Sequence, residues 1–208
     1  MIKIENVEVM GWDTAIRGMR NPMNSWEKSD SGTCGYPHHI GCANCPDHKI
    51  CNHPFRNDGV FKLGKADYEL VMKLVKAGTD HRKFMRMIAV YADITAPLYW
   101  WKEYDTYKVG TVANSCSTMH KIAEKEFTLE DFSCEHLDIR TRKILEEIIK
   151  ALNDYRTLYI NYNPNDFEIK GCPSKKDLWW QMIQLLPSSY NQKRTVMLNY
   201  EVLANIYK

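Results

Sequence analysis

Two hydrophobic rhythms run along this chain. Residues 2–9 set Ile2, Ile4, Val7 and Val9 between polar neighbours, a period of two that predicts a short strand. The alternation slips once, near Glu5 and Asn6, where a bulge is expected. Residues 12–22 predict a short helix, capped by Asp13 and stopped by Asn21-Pro22. Helical spacing returns over 66–78, where Leu70, Val71, Leu74 and Val75 share a face and Gly78 ends the helix. Asp80 then suits the cap of a helix over 81–94, with Phe84, Met87, Ile88 and Tyr91 turned inward. Pro97 suits the first turn of another helix, over 97–108. The most periodic segment is 137–160, where Ile144, Leu145, Ile148, Ile149, Leu152, Tyr155 and Tyr159 form one apolar stripe. A linker over 163–176 precedes helices over 177–187 and 194–208. The last has no stop signal, as expected of a frayed end or of a chain with a further segment beyond it. There is no internal repeat. The whole reads as a single α+β domain over 1–208, helix-rich with a small sheet, interrupted by an irregular insertion over 29–64.

Composition narrows the function classes. Of the 208 residues 44% are hydrophobic, enough for one substantial core. The formal charge is +2, from 28 basic and 26 acidic residues without a basic block, which argues against a broad nucleic-acid surface. No stretch has the length of a signal-peptide core or of a membrane span, so the expectation is a soluble, cytoplasmic protein with no membrane partner.

In that compartment the seven cysteines are expected as thiols or metal ligands. The insertion concentrates them. Cys42 and Cys45 form a C-x-x-C pair, Cys34 precedes it, and Cys51 and His53 follow. Thiolates and an imidazole at such spacing match a tetrahedral, structural zinc held by Cys34, Cys42, Cys45 and either Cys51 or His53. The alternative is a loop in which oxidation-prone thiols are merely dense.

A second unusual stretch is "DTYKVGTVANSCSTMH", residues 105–120, directly behind the aromatic run at Trp100 and Trp101. It carries many small hydrogen-bonding side chains and no apolar side chain larger than valine before Met119. Thr106, Lys108, Thr111, Asn114, Ser115, Ser117 and Thr118 offer hydroxyl, amide and ammonium groups to a polar ligand, while Trp100, Trp101, Tyr104 and Tyr107 offer ring faces. The alternative is a buried polar joint between helices of an oligomer. Further on, Lys193 and Arg194 lie in "SSYNQKRT", read as a helix start that favours an anion or as a solvated polar cap. His81, between Asp80 and Arg82, offers a base or a phosphate contact.

Taken as a block, residues 78–121 together with 178–207 resemble the flavin-dependent thymidylate synthases. His81 falls where that family has an upstream histidine; Asn114 and Ser117 fit its N-x-x-S core, with Thr111 near the preceding serine; and Asn199 takes the asparagine position of its last helix. The resemblance implies a helix-rich fold of the thymidylate-synthase-complementing type, FAD as cofactor, dUMP as the nucleotide, a folate carbon donor, and a homotetramer whose sites are shared between subunits. The chain departs from the pattern at the family's arginines. Thr106-Tyr107-Lys108 replaces R-H-R, Met119-His120 replaces R-Y, and Glu201 replaces the arginine of the last helix. Those arginines hold phosphate through a planar fork that neither Met nor Tyr offers, so Lys108, Lys193 and Arg194 are the candidate replacements. Three readings follow: a divergent synthase that methylates dUMP, a nucleotide-binding protein without the reaction, or an oligomeric interaction protein with a structural zinc.

Overall fold

The computed structural model describes residues 2–33, 61–107, 109–164 and 173–207. The protein is α+β. In chain order its elements begin with β1 (Lys3–Met10), α1 (Trp12–Arg20), β2 (Gly32–Thr33), β3 (Phe61–Lys62), α2 (Lys65–Lys76), β4 (Ala89–Pro97) and α3 (Leu98–Tyr104). They continue with β5 (Val112–Ser115), α4 (Thr118–Lys121), α5 (Ile139–Ile160), α6 (Lys175–Leu185), β6 (Asn191–Asn199) and α7 (Tyr200–Ile206). Strands order as β1-β4-β6-β5 in one sheet and β2-β3 in another. The chain forms two compact units, Met1–Val7 with Tyr91–Met197, and Glu8–Val90 with Leu198–Lys208.

In the first unit the stripe expected over 137–160 becomes α5, whose N-terminus Asp138 caps by accepting from the amides of Arg140 and Thr141. Leu145 and Leu152 are buried, and α6 lays Met182 against them. Ile144, placed on the stripe by its spacing, is exposed instead. A Ser174–Asp177 capping box fixes where α6 begins, two residues before the predicted start.

In the second unit α1 and α2 sit on a core of Ile16, Met19, Phe84, Met85 and Ile88, against which Leu70, Val71, Leu74 and Val75 pack as their spacing predicts. Asp13 is not the cap of α1: Gly11 is, with φ of 92°, and a Cβ there would stand 2.3 Å from the Met87 carbonyl oxygen. Gly78, with φ of 106°, follows α2 as expected. The slip in β1 is equally local, since Asn6 has a φ of 50°.

Two predicted helices are corrected. Residues 81–94 form a short 3-10 turn over Lys83–Met87 and then β4. Val90, Ala92, Ile94 and Ala96 are buried while Tyr91 is exposed, so the period is two, and Met87 and Tyr91 do not face a core. Residues 194–208 likewise divide into the end of β6, with Val196 and Leu198 buried, and the short α7. The predicted helix over 97–108 stops at Tyr104. The bulk of the Cys/His-rich insertion, with Cys34, Cys42, Cys45, Cys51 and His53, lies outside the described residues, as does Lys108.

Candidate functional site

The polar stretch behind the tryptophans is not a loop throughout. Residues 112–115 are β5, antiparallel to β6, with Asn114 opposite Thr195 and Ser115 opposite Arg194. The ladder extends one step further, where the Cys116 amide donates to the Lys193 carbonyl at 3.0 Å. The chain then turns into α4, whose N-cap Ser117 accepts from the His120 amide at 3.2 Å. Segment 188–195 is therefore the entry to a strand and not a helix start, so no helix N-terminus awaits an anion there.

Beside this strand pair opens a cavity of about 450 Å³, within the range of small-ligand pockets. Its wall includes Thr95, Cys116, Ser117, Thr118, Asn191 and Gln192. Tyr190 also lines it, and burial of that phenol, with Asp131 nearby, pushes its pKa up. Lysines and carboxylates share the lining, and each of the three lysines has a carboxylate partner. Lys121 bonds Glu124, Lys125 bonds Asp131, and Lys193 lies 3.1 Å from Asp93 and 3.9 Å from Glu5. Asp93 also accepts from Thr195 at 2.6 Å and Asn6 at 3.0 Å, and these three partners hold its carboxyl down at about 2. The bond that Lys193 donates to Asp93 in turn raises the pKa of its ammonium.

Arg194 is engaged on three sides. Its guanidinium donates to Asp105 at 2.8 Å and to Gln192 Oε1 at 2.9 Å, and lies 4.3 Å from the centre of the Trp101 ring. Trp101 is 1% exposed and gives its indole N–H to the Gln192 carbonyl at 2.9 Å, so it presents no open ring face in this chain.

The remaining sequence candidates are dispersed. Tyr107 is half-buried and its carbonyl accepts from the Thr111 hydroxyl at 2.8 Å. Asn114 and Ser115 are exposed on β5. His81 is exposed in the second unit, and Asn199, also there, caps α7 by accepting from the Val202 amide at 3.0 Å. Glu201 is buried against Arg82, with Nη2 to Oε1 at 2.9 Å. The carboxylate that stands where the sequence resemblance expects an arginine thus has a cation of its own. Among the expected ligands, the cavity gathers Ser117, Thr118 and Lys193. It adds Thr95, Asn191 and Gln192, which periodicity hides because the spacing around β4 and β6 reads as helical. Among the described residues no group of three or more His, Cys, Asp or Glu side chains is placed to hold a metal, and no helix is long and apolar enough to cross a membrane.

Comparison with known proteins gives a fold. No protein-family model and no curated protein matches the chain. Among solved structures, thymidylate synthase X from Helicobacter pylori with FAD and dUMP matches at a TM-score of 0.59 and 14% identity, over 99% of this chain and 81% of that one. A second structure of the Helicobacter pylori flavin-dependent enzyme, complexed with FAD and dUMP, gives 0.54 and 15%, over 97% and 82%. The UMP/dUMP methylase PolB from Streptomyces cacaoi, bound with 5-Br UMP, gives 0.50 and 10%, over 99% and 75%. The chain has a fold like that of thymidylate synthase X.

Proposed function

We propose that this protein binds a uridine nucleotide of the dUMP or UMP class in the cavity of the first unit. The observation that carries the reading is the ligand class shared by the three solved structures named above: two hold dUMP and the third 5-Br UMP. The cavity supports it, with hydroxyls from Thr95, Ser117 and Thr118 and an amide from Asn191 for the carbonyls and hydroxyls of such a ligand. Lys193 and Lys121 stand at the same wall for its phosphate, although each must share its charge with a carboxylate.

A flavin is fitted less well by the described residues. The lysines at the cavity are paired, Arg194 is committed to Asp105 and Gln192, and the Trp101 ring is covered. Nucleotide binding without the methyl transfer is therefore the reading the geometry favours. The synthase reading has one specific support, the FAD in both Helicobacter pylori structures. A homotetramer with shared sites and a structural zinc in the Cys/His insertion belong to the same proposal. Sedimentation tests the first, and the zinc content of Cys42→Ser tests the second.

The deciding experiment denatures the purified protein after incubation with dUMP and FAD and gel filtration, and identifies the released small molecules by mass spectrometry. Retention of dUMP without FAD is expected. Retention of both would favour the synthase, and retention of neither would remove the nucleotide reading.

A further inference from the structure

Arg194 is the cation that sequence reasoning offers to a phosphate, but its contacts assign it other work. An arginine has only donors, so the atom of Gln192 facing its Nε is the amide oxygen, which fixes how the Gln192 side chain is turned. The Gln192 Nε2 group must then point the other way, and it does: it donates to the Cys116 carbonyl and to the Thr118 hydroxyl oxygen, both at 2.9 Å. Cys116 is thereby held on both backbone sides, its amide by Lys193 and its carbonyl by Gln192. Asp105 and the Trp101 ring hold the guanidinium at the other end of this chain of contacts. Cys116, Ser117, Thr118 and Gln192 all line the cavity, so one network sets its wall.

We propose that Arg194 is a positioning residue: acting through Gln192, it holds the Cys116–Thr118 wall of the cavity and does not itself contact a ligand's phosphate. The link to ligand binding rests on the nucleotide reading above, whereas the link to the wall stands without it. Because Gln192 occupies one lone pair of the Thr118 oxygen, that hydroxyl keeps its proton to donate into the cavity. Losing the orientation of Gln192 therefore costs the wall both its anchor and an aligned donor.

The test uses two variants and two readouts. Arg194→Lys keeps the charge but loses the planar fork; Gln192→Leu removes the amide while keeping bulk. The first readout, taken without ligand, is amide hydrogen exchange of the peptide covering residues 112–122, followed by mass spectrometry; the Cys116 thiol is exposed already, so the backbone bonds at Cys116 are what report on the wall. Both variants should exchange about tenfold faster there, the size of one hydrogen bond. The second readout is affinity for dUMP against deoxyuridine. A positioning residue loses both ligands by a similar factor, about tenfold, and the double variant loses little more than either single one. Unchanged exchange over residues 112–122 in both variants would overturn the proposal. So would a loss in Arg194→Lys confined to dUMP, which would make Arg194 a phosphate ligand after all. If the wild-type protein binds neither ligand, the nucleotide reading fails, and the exchange rates alone decide whether Arg194 holds the wall.

Discussion

The two units use their charges in opposite ways. In the second unit two ion pairs, Arg20–Asp67 and Arg82–Glu201, are buried. Asp67 has no exposed surface and accepts from Arg20, the Ser29 hydroxyl and the amides of Asp30 and Ser31. Burial alone would raise its carboxyl, but the bonds from Ser31, Ser29 and Arg20 prevail and hold it below the usual carboxylate value. The Arg82–Glu201 pair is buried as well. In the first unit the pairs are half open, around a cavity or on an exposed sheet face: Lys193 with Asp93, Lys121 with Glu124, Arg194 with Asp105. Buried pairs resist change and hold a fold, whereas half-open pairs such as Lys193–Asp93 and Lys121–Glu124 can trade a partner for a ligand. The search for function therefore belongs in the first unit.

Breaking a buried pair should give the largest effect. Asp67→Ala leaves Arg20 buried without its partner and frees the amides at 30 and 31, so urea unfolding should show a loss of about 4–5 kcal/mol. Arg82→Met should cost about 3 kcal/mol in the same assay, and Arg82→Met with Glu201→Leu should recover most of it, since the lone carboxylate is then gone. Glu201 Oε2 already has no hydrogen-bond partner among the described residues, which favours that recovery. A double variant no more stable than the single one would contradict the claim that the lone buried carboxylate is what destabilises Arg82→Met.

The open pairs should respond through ligand and pH, with little change in stability. Thr118→Val should weaken dUMP by about 1 kcal/mol, one neutral hydrogen bond, while the unfolding midpoint barely moves. Calorimetry reads the first effect and thermal unfolding the second. The smallest effect is expected at Asp93. A carboxyl held at about 2 against an ordinary 3.8 stabilises the fold above the ordinary value and loses that contribution as pH falls toward 2. The stability advantage of wild type over Asp93→Asn should therefore be constant above about pH 4 and fade below it. An advantage that persists to pH 2 would mean that the Thr195, Asn6 and Lys193 bonds do not depend on the ionised form.

Helices with a strong stripe are legible in the sequence, because α5 and α2 need only local spacing to declare a buried face. The strands β4 and β6 are not. Their polar positions, Asp93, Thr95, Lys193 and Thr195, face one side and their small apolar ones, Ala92, Ala96 and Val196, the other. Alternation among alanines is a faint signal beside the helix formers that flank it. The candidate site suffers from the same confusion. Ser117 and Lys193 can be named from residue type, but Gln192 and Thr95 acquire a role only when two strands distant in sequence pair. Nor does residue type reveal that Trp101 and Arg194 occupy each other, since stacking is a property of tertiary contact. Glu201 shows the reverse case: its charge argues against a phosphate, and its buried partner Arg82 supplies the reason for it.

Entry of a uridine nucleotide into the first unit's cavity is the central claim, and hydrogen-exchange mass spectrometry with and without saturating dUMP tests it most directly. Slower exchange in peptides covering residues 112–122 and 188–195, with the second unit unchanged, is the predicted result. Unaltered exchange throughout, or protection confined to residues 61–90 and 198–207, would contradict it.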